Sequence, residues 1–161
     1  LAMHKVQKAN LHAFTLPELL VTVSILGILG SVTTPALLGQ LERGRQGEAE
    51  TLISQLITQT SAFNDEFGKA AESWRDLDAI ATISTGDGTA DSSDFEAITT
   101  PSGNYSVSIT KSENNYTFAA TPKGNASSKY NVIGCSNIAT GASQIISGDS
   151  QAAASAGDLK C

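Results

Sequence analysis

The most unusual reactive group in this sequence is a single carboxylate in an apolar setting. Glu18 is the only charged residue between Lys8 and Glu42. A carboxylate beside an apolar segment of membrane length costs roughly a few kcal/mol or more when its charge is unpaired. The position of Glu18 therefore requires an explanation that an apolar segment alone does not provide.

Four acidic side chains in a polar loop are candidates for binding calcium. Asp87, Asp91, Asp94 and Glu96 lie in a segment rich in Ser, Gly and Thr. Their spacing does not match the EF-hand loop, in which ligands recur at fixed positions. We therefore expect a solvated acidic loop, with no metal and no other cofactor.

The segment that must position Glu18 has the length of a membrane span. Residues 19–38 carry no charge, and 20 residues is about the length of a helix that crosses the hydrocarbon core. The residues before Phe14 contain Lys5 and Lys8 but no acid, so the positive-inside bias places the N-terminus in the cytoplasm. A secretory signal or a plain single-pass anchor fits the same pattern, but neither explains Glu18.

The stretch AFTLPELLVTVSILGILGSVTTP resembles the N-terminal signature of type IV pilins. The shared features are a basic leader, a cut before Phe14, the glutamate Glu18, an apolar helix and a proline at Pro35. The resemblance implies that a membrane aspartyl peptidase removes residues 1–13 by cutting between Ala13 and Phe14, and then N-methylates Phe14. It also implies that Glu18 pairs with the N-terminal amine of a neighbouring subunit during filament assembly.

Two residues depart from this signature. The residue before the cut is usually glycine in the family, and here it is Ala13, which keeps a small side chain and implies slower processing rather than none. Pro17 stands where an apolar residue is commoner. Proline inside a helix costs about 3 kcal/mol, but it costs little in the first turn, where N–H groups have no helical partner. Cleavage before Phe14 puts Pro17 in that turn.

Pro35 lies deep in the predicted helix, where it cannot donate to the carbonyl of Ser31. Several small residues, among them Gly27 and Gly30, lie nearby. One interpretation is a kinked membrane helix whose small residues pack against other helices. The other is a segment that unwinds when subunits pack into a fibre. Both interpretations are open at this point, and the resemblance assigns Pro35 to assembly.

Beyond the apolar segment, the sequence predicts an α+β fold: one long N-terminal helix packed on a small antiparallel sheet. Helical spacing continues in the residues Ala49, Leu52, Ile53, Leu56, Ile57, Thr60, Phe63 and Phe67. A short helix capped by Ser73 follows. Alternation then predicts three strands, in the runs Tyr105, Val107 and Ile109; Tyr116, Phe118 and Ala120; and Tyr130 and Val132, with a hairpin at KSENN.

Cys135 and Cys161 are the two cysteines of the chain. In an extracytoplasmic domain they are expected to form a disulfide, which contributes on the order of 3–4 kcal/mol in the chain-entropy model. The residues between them are rich in Ser, Ala, Gly and Gln, and we expect this segment to depend on the bond for its order. The arrangement resembles the cysteine-bounded C-terminal region of type IV pilins.

Charge and composition argue against catalysis and against DNA binding. Both histidines, His4 and His12, precede the proposed cut, so no base would remain to activate a serine. Removal of the leader takes away 2 of the 10 Lys and Arg and none of the 16 acids, so the net charge becomes 8 − 16 = −8. This charge opposes nonspecific binding of phosphates, although Lys111, Lys123 and Lys129 would be candidates for a local patch on a filament.

The sequence therefore predicts a structural subunit with a leader at 1–13, a long helix at 14–67 and an extracellular head at 68–161. The precursor is expected in the inner membrane, with the prepilin peptidase and the pilus assembly machinery as partners. Identical subunits would then form a surface filament for adhesion, motility or DNA uptake. The main alternative is a pseudopilin of a type II secretion system, although major pseudopilins often use calcium rather than a terminal disulfide. A single-pass anchor that displays a binding domain is the third reading.

Overall fold

The computed structural model of this chain describes residues 14–161, except for the side chains of residues 34 and 35. The leader, including Ala13, lies outside the described residues. The chain divides into two compact units between Gly39 and Gln40. Helix α1, Leu16–Phe67, contributes residues to both units.

The first unit consists of the apolar beginning of α1. Leu16 starts the helix, so Pro17 falls in its first turn, where the missing N–H costs little. Every described side chain from residue 14 to residue 33 is exposed. The backbone of Pro35 is also helical. This unit therefore buries none of these apolar side chains within the described chain.

In the second unit, α1 supplies one wall of the hydrophobic core. The predicted face is confirmed for its buried members Ala49, Leu52, Ile53, Leu56, Thr60 and Phe63. The prediction is wrong for Phe67, which is half exposed because it ends the helix; its ring centroid lies 4.6 Å from that of Phe63. The helix thus packs through a face that stops one turn before its C-terminus.

The short second helix has the predicted cap. Helix α2, Trp74–Asp78, begins after Ser73, whose hydroxyl oxygen accepts a hydrogen bond from the Asp76 N–H at 3.2 Å. The carboxylate of Asp76 in turn accepts from the N–H of Glu72 at 2.8 Å. These two bonds satisfy N–H groups that the helix itself leaves unpaired.

The sheet that faces α1 has five antiparallel strands in the order β3-β4-β5-β6-β7, after a separate two-stranded hairpin β1-β2. The three predicted strands are its centre, and the predicted hairpin joins β4 to β5. Tyr130 was expected in a strand but lies in a 3-10 turn, so β6 begins only at Val132. The strand bounds are β1 Ser84–Thr85, β2 Gly88–Thr89, β3 Ile98–Thr99, β4 Tyr105–Ser112, β5 Asn115–Pro122, β6 Val132–Asn137 and β7 Ser143–Ser147.

Close approach of α1 to the sheet occurs at Gly134 in β6. A Cβ atom added there would lie 2.5 Å from Cγ2 of Ile53 and 3.4 Å from Cδ1 of Ile57. Only glycine leaves room for the helix at this distance. Because successive residues of a strand point to opposite faces, Gly134 faces the helix, while its neighbours Ile133 and Cys135 face the other side of the sheet.

Two core tyrosines connect the sheet to the surrounding loops. The hydroxyl of Tyr116 donates to the carbonyl of Ala71 at 2.6 Å, and that of Tyr105 donates to the carbonyl of Tyr130 at 2.7 Å. Burial, with nearby carboxylates, raises the pKa of Tyr116 to about 12 and that of Tyr105 to about 12. Both hydroxyls are therefore expected to stay protonated up to strongly alkaline pH.

The C-terminal segment covers the outer face of β6. The predicted disulfide between Cys135 and Cys161 is present and links this segment to β6. Asn131 clamps the same segment: its side-chain oxygen accepts from the N–H of Ala154 at 2.8 Å, and its side-chain nitrogen donates to the carbonyl of Ala154 at 2.9 Å. Pairing of β7 with β6 and the Asn131 contacts also hold the enclosed residues, and their dependence on the disulfide stays a prediction.

Candidate assembly site

Glu18 lies in the first turn of α1 with its side chain exposed. The hydroxyl of Thr15 is 3.5 Å from Oε2 of the carboxylate, at the outer limit of a hydrogen bond. The main-chain carbonyl of Glu18 accepts a shorter bond, 2.7 Å, from the hydroxyl of Thr22. The carboxylate is thus held at a helix N-terminus, a favourable position for a negative charge, and most of its oxygen surface is open to a further partner.

The remaining polar side chains of the apolar segment bond within their own helix. The hydroxyls of Thr22, Ser24, Ser31 and Thr33 each donate to a main-chain carbonyl three or four residues earlier, at 2.7–3.2 Å. Such bonds remove the hydroxyl donors from contact with their surroundings. The segment can therefore enter an apolar environment with Glu18 as its one charged group.

The exposed surface of this segment is almost entirely aliphatic. Its exposed large side chains are Phe14, Leu16, Leu19, Leu20, Val21, Val23, Ile25, Leu26, Ile28, Leu29 and Val32. Among the described residues, Leu16–Thr33 is the one stretch long and apolar enough to cross a membrane, with a mean hydropathy of 1.8. A water-soluble protein rarely leaves so continuous an apolar surface uncovered. This surface needs lipid or other helices around it.

The site residues proposed from the sequence are distributed as follows. Phe14 precedes α1 and is 78% exposed, and Glu18 lies one turn further along the same unit. The backbone of Pro35 is in the same helix, and Ala13 is not among the described residues. Chemically, this arrangement offers one carboxylate on an apolar surface, which can accept charge-assisted hydrogen bonds from a cation.

The acidic loop does not form a metal site in the described part of the chain, where no group of three or more His, Cys, Asp or Glu residues is placed to hold an ion. Asp94 instead accepts from the N–H of Glu96 at 3.2 Å. The candidate lysines are partly engaged as well, because Lys111 forms an ion pair with Glu72 at 3.0 Å and Lys123 donates to Thr99 at 3.2 Å.

Sequence reasoning missed the hydroxyl groups that support the segment around Glu18. Thr15 contacts the carboxylate, and Thr22 bonds the main chain of the same residue. A sequence signal for both contacts exists, because they lie three residues before and four residues after Glu18, and helical residues at these spacings share a face. The spacing alone does not say whether the hydroxyl turns to the side chain or to the backbone.

Comparison with known proteins identifies the N-terminal motif. Residues 8–34 match the family model described as the prokaryotic N-terminal methylation motif. No curated protein and no solved structure matches the chain. The motif, the long N-terminal helix on a five-stranded antiparallel sheet and the C-terminal disulfide together define a pilin-like protein. The methylation motif is one that type IV pilins and pseudopilins share, and those proteins are structural rather than catalytic.

Proposed function

We propose that this chain is a subunit of an extracellular type IV pilus, stored in the inner membrane and polymerised after the leader is cut between Ala13 and Phe14. The observation that carries the proposal is an uncovered apolar helix that has a single carboxylate, Glu18, and that begins within a methylation motif at residues 8–34. The leader (1–13), the long helix and the extracellular head are the three parts of this precursor.

Membrane storage is supported by the chemistry of the first unit. Leu16–Thr33 has the length and hydropathy of a span, and its hydroxyls bond to their own helix, which reduces the cost of entering hydrocarbon. In the filament, the same aliphatic surface would pack against identical helices of neighbouring subunits. Pro35, whose ring nitrogen cannot donate a helical hydrogen bond, is our candidate for the point where the helix adjusts to this packing.

Glu18 is proposed to set the register of assembly by pairing with the N-terminal ammonium of Phe14 in a neighbouring subunit. A buried ion pair adds little net stability, since desolvation of both charges offsets their attraction. A subunit docked in the wrong register, however, would leave a charge unpaired in an apolar environment, which costs several kcal/mol. Sliding aliphatic helices past one another costs far less, so the charge pair selects the position.

The disulfide favours a pilus over a pseudopilin of a type II secretion system. Cys135 and Cys161 hold the C-terminal segment covalently, whereas heads of the major pseudopilins often rely on calcium. The proposed function at the cell surface remains structural, and adhesion, motility and DNA uptake are the roles such a filament serves.

The proposal is tested with variants of Glu18. Glu18→Ala should leave the mature subunit in the membrane but sharply reduce surface filaments, because the ammonium of the incoming subunit loses its partner. Glu18→Gln should be only slightly better, since an amide carries no charge. Glu66→Ala, which removes an exposed acid from the far end of the same helix, is the matched control and should assemble normally. Normal filament numbers from Glu18→Ala would exclude the carboxylate as the register element.

A further inference from the structure

One edge of the five-stranded sheet is open. Strand β7, Ser143–Ser147, ends the sheet and contains no charged residue. Within residues 14–161, no backbone group is paired with β7 on the side away from β6. The opposite edge, β3, has only two residues and is followed closely by Pro101. Long neutral edges invite pairing with another strand, and charges, prolines or short strands prevent it.

The register of β6 and β7 identifies which groups face outward. Beyond one end of the pair, the N–H of Asn137 donates to the carbonyl of Ala142 at 2.8 Å, and beyond the other end the N–H of Gly148 donates to the carbonyl of Asn131 at 2.9 Å. Hydrogen-bonded and non-bonded pairs alternate along an antiparallel ladder. The N–H and C=O groups of residues 143, 145 and 147 therefore point away from β6.

A groove runs between this edge and helix α1. It has a volume of about 500 Å³ and is lined by Glu50, Thr51 and Ser54 of the helix and by Ile145 and Ser147 of the strand. Ile145 pairs with Gly134, which faces the helix, so residues 143, 145 and 147 have their side chains on the groove side. Ile145 is 36% exposed there.

The groove carries a negative charge beside the open edge. The carboxylate of Glu50 lies at the end of β7, where Oε1 accepts a short hydrogen bond from the hydroxyl of Ser147. No hydrogen bond or ion pair from residues 14–161 reaches its second oxygen, which can therefore receive a cation. Glu50 is thus the charged group that a strand laid along β7 would meet, and it favours a basic side chain over an acidic one.

We propose that the β7 edge binds an extended segment of another protein that carries a basic residue. Main-chain hydrogen bonds to residues 143, 145 and 147 would add a sixth strand to the sheet, in the manner of β-strand addition. Side chains on one face of the added strand would lie over Ile145, and a lysine or arginine would reach Glu50. This inference concerns the head alone and does not depend on filament assembly.

The test uses the full chain in detergent micelles and three fluorescent seven-residue peptides. The peptides alternate Val and Thr, with Lys, Gln or Glu at the central position. Fluorescence anisotropy should show saturable binding that is strongest for the Lys peptide and weakest for the Glu peptide. Glu50→Gln should remove the difference between the Lys and Gln peptides. The same affinity for all three peptides would overturn the assignment of a basic ligand.

A proline variant tests the backbone part of the proposal. Ile145→Pro deletes an N–H that points outward and is not used in pairing with β6, so an edge strand tolerates it. Loss of one hydrogen bond should weaken binding by roughly three- to tenfold, whereas Ile145→Thr keeps the N–H and should bind more tightly than the proline variant. Equal binding by the two variants would contradict strand addition.

Hydrogen exchange keeps the proposal testable even if the proline variant is poorly folded. In the unaltered chain, saturating Lys peptide should slow amide exchange at Ile145 and Ser147. Unchanged exchange rates at these amides, with or without measurable binding, would contradict the proposal. Light scattering of the chain alone supplies a further check: a dimer that Ile145→Pro abolishes would assign the edge to a second copy instead of a different protein.

Discussion

Breaking the disulfide between Cys135 and Cys161 should lower the stability of the head by a measurable and calculable amount. Reduction is the cleanest perturbation, because it keeps both sulfur atoms and removes only the covalent link. The bond joins residues that are 26 positions apart. For a loop of this length, the chain-entropy model gives a contribution on the order of 3.5 kcal/mol at 25 °C.

The assay follows the fluorescence of Trp74 during urea unfolding of the full chain in detergent micelles. Trp74 is the one tryptophan of the sequence and is fully buried, so its emission reports on the core of the head. With a slope of about 1–3 kcal/mol per M urea, reduction should lower the midpoint by at least about 1 M. The native signal before unfolding should persist, because β7 pairing and the Asn131 clamp remain.

Two controls separate the covalent link from other effects of the reductant. The variant Cys135→Ala/Cys161→Ala should unfold near the midpoint of the reduced chain, and the reductant should not change it further. Gln151→Ala alters an exposed side chain within the same loop and should keep the oxidised midpoint. A midpoint that reduction leaves unchanged would refute the reasoning that this bond stabilises the head.

Three further predictions concern the helix–sheet contact, the Asn131 clamp and a buried tyrosine. Gly134→Ala places Cβ 2.5 Å from Cγ2 of Ile53 and should lower the free energy of unfolding, measured in urea, by about 1–3 kcal/mol. The double variant with Ile53→Ala should lose less stability than the two single variants together, and full additivity would contradict this contact. Asn131→Ala removes both bonds to Ala154, so amide exchange at Ala154 should accelerate, and an unchanged rate would argue against the clamp. The pKa of Tyr116 is raised from 10 to about 12. The stability that this shift contributes is therefore complete below pH 10 and is lost as the pH rises to 12. Tyr116→Phe should make the alkaline loss of stability smaller, and a pH profile identical to that of the unaltered chain would contradict this prediction.

The parts of the fold with regular patterns could be predicted from the sequence. The helical spacing of Ile53 and Leu56 identified the core face of α1, because a 3.6-residue period fixes which side chains share a face. Ser73 was identified as a cap from its residue type and position. Alternation at Tyr116 and Phe118 identified β5, since one face of that strand is buried and the other is partly open.

The edges of the sheet could not be predicted in this way. Strand β3 has only two residues, too few for a period. The β7 sequence Ser-Gln-Ile-Ile-Ser has adjacent isoleucines and no clear alternation, and it becomes a strand because β6 offers it a ladder. Asn131 likewise gave no signal, since its bonds to Ala154 join residues brought together only by the folded C-terminal segment.

In the candidate site, too, some features could be predicted from the sequence and others could not. Glu18 could be identified from the sequence because one charge in an apolar run is visible without any structure. The bonding of Thr22 and Ser24 to helix carbonyls required the coordinates, because a hydroxyl in a helix can turn either to the backbone or away from it.

The central claim is that the chain is processed at Phe14 and assembled into surface filaments. The most direct measurement is the mass, with N-terminal fragmentation, of the subunit in filaments sheared from the cell surface. The account predicts a chain that begins at Phe14, carries one methyl group on its N-terminal nitrogen and contains the bond between Cys135 and Cys161. A surface subunit that retains residues before Phe14, or one that begins after Thr34, would contradict it.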